Sequence, residues 1–385
     1  MSLIFENATI YSPLEIIEEG SLVISSEGLI DYVGKSRQAK EGAINLQGKI
    51  LAPGFIDIHV HGGRGIMFGY GDLASELEKY SMWVAGNGVT GFLCTIAGPD
   101  AISTNALIKS YVPILEKGVS AAQALGLHLE GPFLNPEKKG AFNPKWLRPP
   151  SRQEAETYLK LGKGWIHQMT LAPELEGAEE IAKLFRAAGV VIALGHSNTD
   201  YATASSALKG NFTHVTHTYN AQSGLHHRTP GVVGAILASD NITAELIADT
   251  VHVHPAAMKV LLRCLGADRI VLITDAMPGA GLPDGIYELV GQKAIVKDGL
   301  ATLEDGTIAG STALLNNCVH NMHQIVGASL KEAIQMATLN PARVLGIDDR
   351  VGSLEQGKLA NLVVLDENLN VYMTMVQGKM VFKKE

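Results

Sequence analysis

An α/β barrel is the fold class this sequence predicts, on three observations. Eight short, apolar, β-rich runs alternate with helical patterns through the middle of the chain. No glycine-rich dinucleotide fingerprint or phosphate loop follows the first run, which disfavours a doubly wound open sheet. Polar, metal-grade side chains stand near the ends of five runs, where a barrel places its catalytic mouth.

The elements follow in order. SLVISSEGLIDYVG reads as a hairpin with a Glu-Gly turn between apolar runs. QGKILAPGFIDIHVHGG passes through a Pro-Gly break into a new strand. The eight runs cover 55–61, 89–96, 125–130, 168–172, 190–196, 213–218, 244–249 and 269–275. Helical patterns such as DLASELEKYSMWVAGNG and EEIAKLFRAAG lie between most of them, the second ending in a glycine. The chain closes on β again, in ANLVVLDENLNVYMTMVQGKMVFKK, with a Gln-Gly-Lys turn. Two β-rich ends around an α/β middle predict that residues 1–52 and 349–385 form one small β unit. Residues 53–348 are then the barrel.

Composition narrows the function. A chain of 385 residues buries a barrel core and leaves residues for a second unit. Charged residues are only 18% against 46% hydrophobic, which marks a globular chain. The net charge of −8 comes without a basic stripe, so no nucleic-acid partner is expected. An anionic substrate then needs local cations. Cys94, Cys264 and Cys318 are scattered and odd in number, against a disulfide framework. The start MSLIFENATIYSP does not resemble a signal peptide, and no apolar run is long enough for a membrane span. A cytoplasmic protein is the expectation, and Asn211 and Asn241 are read as chance glycosylation matches.

The candidate chemistry sits at the run ends. His59 and His61 are two apart, so on a strand both imidazoles face one side and reach one ion. The pattern alone is weak, because His252 and His254 repeat it. Asp57 shares that face and is expected to orient backbone or histidine. Glu130 runs into Gly131-Pro132 and is costly to bury unless a metal or an arginine relieves it; His128 is expected behind it. His196 and His217 close their runs in the same way. Asp275 ends the eighth run, where a carboxylate can take a proton from an activated water and pass it to a leaving amine. Imidazoles and carboxylates together suit Zn²⁺, Fe²⁺ or another borderline divalent ion, one or two per chain. Asn220-Ala221 with His226, His227 and Arg228 form a polar loop suited to phosphate. His320 and His323 are read as structural.

The motifs PGFIDIHVHG, HLEGPF, GAFNP, LGHSN, THTYNA, HHRTPG, HVHP, TDAMPGAGLPDG, DGTIAGST and ATLNPARVLG occur in this order. Together they resemble the N-acetylglucosamine-6-phosphate deacetylases of the amidohydrolase superfamily, along nearly the whole chain. The resemblance implies a (β/α)8 TIM-like barrel of the amidohydrolase type, with a small β-sandwich formed by both termini. It implies hydrolysis of the acetamide of N-acetylglucosamine 6-phosphate to acetate and glucosamine 6-phosphate. By motif, Glu130, His196 and His217 match the main metal ligands and Asp275 the catalytic acid/base. His252 matches a histidine at the reacting amide. Asn220, Ala221 and Arg228 match sugar-phosphate contacts, with the arginine acting within its own chain or reaching in from the neighbouring subunit of a homodimer. The chain keeps His59 and His61 where some members replace them, which leaves room for two metals. Phe142 stands where many members carry a polar residue that touches the sugar. The competing readings are an N-acetylgalactosamine-6-phosphate deacetylase, another amidohydrolase N-deacylase, and a metal-free barrel serving assembly or binding. The last predicts broken ligand positions, and none is broken.

Overall fold

The computed structural model describes residues 2–36 and 42–384. Its centre is a ring of eight strands: Phe55–Asp57, Val89–Ile96, Gln123–Glu130, Ile166–Leu171, Val191–Leu194, His214–Val215, Thr243–Ile247 and Ile270–Ile273. Each pairs in parallel with the next in chain order. The ladder lapses between the eighth strand and the first, where two backbone bonds just beyond the strands bridge the gap. The Asp275 N–H donates to the His59 carbonyl and the His61 N–H to the Ala276 carbonyl, both at 2.9 Å. The expected (β/α)8 barrel is therefore the observed one.

The strands are legible because they are covered on both faces. Every residue of the second strand, VTGFLCTI, is buried, so it reads as a mostly apolar run with two buried threonines rather than an alternation. Helices supply the outer cover. Leu73–Ala85 starts at Asp72, whose side chain accepts the Ser75 N–H at 3.3 Å. It turns Leu77, Tyr80, Ser81, Val84 and Ala85 inward, the spacing of one helical face. Ala178–Ala187 buries Ile181, Ala182 and Phe185. Gly189, at φ +80°, then takes the left-handed turn into the fifth strand.

The ends of the chain meet in one sheet. Its path runs Lys379–Lys383, Val371–Val376, Leu362–Leu365, Ile50–Pro53, Leu3–Tyr11, Ile16–Ile24 and Ile30–Lys35, with Ile44–Asn45 added on Leu3–Tyr11. Leu362–Leu365 lies antiparallel to Ile50–Pro53, which ties the two termini together. Phe5, Leu22, Leu51, Leu362 and Met373 pack as its core. The Thr374 hydroxyl, fully buried, donates to the Ala85 carbonyl at 2.7 Å and anchors this sheet on the first helix of the barrel. Among the described residues no helix is long and apolar enough to cross a membrane.

Two features differ from the sequence reading. The regular ladder stops short of the predicted ends, at Asp57, Leu194, Val215 and Ile273. The cause lies partly in His196, His217 and Asp275 themselves, which take φ of +48°, +27° and +51°. Left-handed backbone cannot continue a β-ladder. The second difference is a three-stranded antiparallel sheet, Gly285–Leu289, Gln292–Lys297 and Leu300–Thr302, inserted after the eighth strand. Leu289, Val290, Ala294 and Val296 pack with Phe142, Trp146 and Met277. This insert walls one side of the barrel mouth.

Candidate active site at the barrel mouth

Five strand ends bring their donors to one place. Glu130 closes the third strand, and its Oε1 lies 3.1 Å from Nε2 of both His196 and His217. Those two nitrogens are themselves 3.1 Å apart. Glu130 Oε2 lies 3.0 Å from His61 Nε2, and Asp275 Oδ1 lies 3.3 Å from the same nitrogen. His59 Nε2 is 3.5 Å from both Glu130 Oε1 and Asp275 Oδ1. Two donor sets result, Glu130–His196–His217 and His59–His61–Asp275, all buried. Glu130 faces both. His59 and His61 converge although the ladder ends at Asp57 and the chain bends at Ile58 and His59; the backbone bonds to Asp275 and Ala276 hold that stretch against the eighth strand's end.

The chemistry of the donors fits a divalent cation. His196 Nδ1 meets the Lys138 carbonyl at 2.7 Å, so the neutral ring presents a lone pair at Nε2. That lone pair faces a carboxylate oxygen and a second imidazole nitrogen at 3.1 Å. His59 Nδ1 is held by Glu245 Oε2 at 2.9 Å, while its Nε2 is buried without a hydrogen-bond partner. An orphaned nitrogen aimed into such a cluster is what a metal ligand looks like. Charge points the same way. Burial disfavours protonated His59 and His61, but Glu245, Glu130 and Asp275 around them outweigh it. They raise His59 well above its ordinary value and His61 to about 9. Burial likewise disfavours ionised Glu130, yet the neighbouring histidines hold it well below the usual carboxylate range. The cluster demands positive charge, and a divalent ion supplies it without protons.

A cavity of about 430 Å³ opens above the donors. Of the predicted residues, His61, Glu130, His196, His217, Asp275, Asn220, Ala221 and His252 line it. His59 lies beneath, fully buried. His226 and Arg228 do not line it; they stand on an exposed loop, with Arg228 Nη1 3.0 Å from His227 Nε2. Phe142 closes the wall, its ring edge-on to His196 with centroids 5.4 Å apart. Asp57 holds the Thr274 hydroxyl and two backbone groups, accepting from Thr274 Oγ1 at 2.6 Å, Thr274 N at 3.2 Å and His59 N at 3.4 Å. Burial still pushes it up to about 7. His128 sits between Thr95 and Thr170 hydroxyls, at 3.1 and 2.8 Å.

Several residues that serve the site escaped the sequence reading. Glu245, fully buried on the seventh strand, holds His59 Nδ1, the His217 N–H at 3.0 Å and the Gln168 amide at 2.7 Å. Asp249 Oδ2 lies 2.7 Å from His252 Nδ1, leaving Nε2 of that ring for a ligand. Lys138 and Lys139 are the cations lining the cavity among the described residues. Leu289, Val290 and Ile308 come from the inserted sheet and the loop after it.

Two nitrogen–oxygen donor sets at the mouth of a parallel barrel, under a cavity with an ionised carboxylate in its wall, define a metal-dependent hydrolase. The chain belongs to the amidohydrolase family, whose model matches residues 50–381. It is 39% identical to the N-acetylgalactosamine-6-phosphate deacetylase of Escherichia coli O157:H7, over 86% of this chain and 88% of that protein. It is 35% identical to the N-acetylglucosamine-6-phosphate deacetylase of Bacillus subtilis (strain 168), over 99% and 97%. A mutant of the Mycobacterium smegmatis N-acetyl-D-glucosamine-6-phosphate deacetylase, solved with N-acetyl-D-glucosamine-6-phosphate, superposes with a TM-score of 0.93. It is 30% identical and covers 99% of this chain and all of its own.

Proposed function

We infer that this protein hydrolyses the acetamide of N-acetylglucosamine 6-phosphate, releasing acetate and glucosamine 6-phosphate. The observation that carries this reading is the double donor set bridged by Glu130 at the floor of a cavity whose rim holds Asn220, Ala221 and His252. Relatives of that name over nearly the full chain support the substrate. Acetate release from a panel of N-acetylhexosamine 6-phosphates tests it. The galactosamine epimer is the second reading, favoured by the Escherichia coli relative; Phe142, which offers the sugar no hydrogen bond, selects neither epimer. The same panel ranks the two epimers.

Glu130, His196 and His217 would hold one ion, Zn²⁺ or Fe²⁺ by donor chemistry, and His59, His61 and Asp275 a second. Such an ion would supply Lewis acidity for the amide carbonyl and a water acidic enough to ionise near neutral pH. The chain's own groups do the rest. Asp275 is ionised: burial opposes its charge, but His59 and His61 outweigh it and lower its pKa. It accepts the proton of the attacking water and passes it to the leaving nitrogen. His252, steadied by Asp249, presents Nε2 to the acetamide. The walls around Phe142 and Val290 exclude bulk water from the reacting amide.

Metal count is a direct check. The parent should bind two ions per chain under replete conditions. A His59→Ala/His61→Ala double variant should bind one. One ion in the parent, with full activity in the double variant, would reduce the pair to a structural role.

The phosphate is met by local donors, because the chain is acidic overall. Lys138, Lys139 and the Asn220-Ala221 backbone serve from within. Arg228 is exposed and outside its own cavity, and Leu225 beside it is 57% exposed. We assign that loop to the cavity of a second copy in a homodimer. Arg228→Ala should lower kcat/KM for the 6-phosphate sugar by at least ~10-fold, on the scale of a lost charge-assisted contact. The value for unphosphorylated N-acetylglucosamine should stay near the parent's. Equal losses on the two sugars would place Arg228 in the fold or the dimer instead.

A further inference from the structure

His196 is held by a clamp whose anchor, Glu174, stands outside the lining of the cavity. Its backbone is left-handed, at φ +48°, an unfavourable arrangement that persists only where neighbours over-determine it. The determinants converge on Glu174, in the loop between the fourth strand and helix Ala178–Ala187. Glu174 Oε1 accepts the Asn135 side-chain amide at 2.8 Å and the Asn198 backbone N–H at 2.8 Å. Its Oε2 accepts the Ser197 hydroxyl at 2.7 Å. One carboxylate therefore ties both residues that follow His196 to the loop that opens at Asn135.

That loop in turn grips the imidazole. The Asn135 N–H donates to the His196 carbonyl at 3.0 Å. Asn135 Oδ1 caps the short helix Pro136–Lys138 by accepting the Glu137 N–H at 2.9 Å. The helix ends with the Lys138 carbonyl 2.7 Å from His196 Nδ1. Gly140, at φ +57°, lies so close that an added Cβ would stand 3.1 Å from His196 Cε1. A chain of contacts thus runs from Glu174 through Asn135 and Lys138 to the ring nitrogen opposite the one facing Glu130.

We propose that Glu174 is a positioning residue for metal binding: it locks the 135–140 loop onto His196 and so aims Nε2 into the Glu130–His196–His217 set. The proposal rests on reading that set as a metal site. Groups that orient a ligand in this way change metal affinity by about 10- to 100-fold.

The test is the Zn²⁺ affinity of chelator-stripped protein, measured by competition with a chromophoric chelator. Glu174→Ala should raise the dissociation constant of the tighter ion about 10- to 100-fold. Glu174→Gln should stay within about 3-fold of the parent, because the amide oxygen can accept from Asn135 and Asn198 while its NH₂ donates to Ser197. Asn135→Ala frees the same loop from its other end and should weaken Zn²⁺ in the same direction, which keeps the test open if Glu174→Ala does not fold. A purely structural role would instead lower the melting temperature of the metal-free protein and leave the affinity of the folded fraction alone. Parent-like affinity in folded Glu174→Ala or Asn135→Ala overturns the clamp, as does a Glu174→Gln loss equal to that of Glu174→Ala. A parent that takes up no Zn²⁺ overturns the metal reading itself, and the clamp with it.

Discussion

Replacing His217 by Ala should abolish bound metal at the Glu130 set and acetate release together. His217 Nε2 lies 3.1 Å from both Glu130 Oε1 and His196 Nε2, so its loss opens one corner of a three-donor site. Two remaining donors hold a borderline divalent ion far more weakly than three. Glu130 is also left with one imidazole fewer against its buried charge. The fold should survive, because the backbone bond from the His217 N–H to Glu245 does not involve the ring. Metal analysis of the purified variant and an acetate assay read the result. A stably metal-free His217→Ala protein with full acetate release would contradict the assignment.

Asp275→Asn separates proton transfer from binding. The change keeps the shape of the side chain and an oxygen facing His59 and His61, so KM should stay within about threefold of the parent. It removes the proton acceptor, and turnover should fall by ~10²-fold or more, the scale of general-base catalysis. The carbonyl of residue 275 bonds to the Ser311 N–H at 2.8 Å, a contact independent of the side chain, so gross misfolding is not expected. Turnover within a few-fold of the parent would mean that another group takes the proton.

How much of this was legible depends on where the information lies. The barrel strands were readable because burial on both faces leaves a run such as VTGFLCTI free of charged residues, with only two threonines among its apolar ones. The six donors were readable because each stands where such a run breaks. The exact strand ends were not, since the left-handed backbone at His196, His217 and Asp275 leaves no mark in residue type. The insert at Gly285–Thr302 alternates exposed and covered residues in short strands, a weak pattern between stronger motifs. Glu245 and Glu174 looked like any other glutamate; only the folded chain brings His59 to the first and Asn135 to the second. Arg228 illustrates the converse. Its motif pointed to phosphate, yet the folded chain leaves it outside the cavity, beside His227 on an exposed loop.

Acetate release from N-acetylglucosamine 6-phosphate, followed in one preparation before chelation, after chelation and after return of Zn²⁺, tests the central claim most directly. The account predicts release in the first state, loss in the second and recovery in the third. Undiminished release by protein shown to hold no metal, or no release in any of the three states, would contradict it.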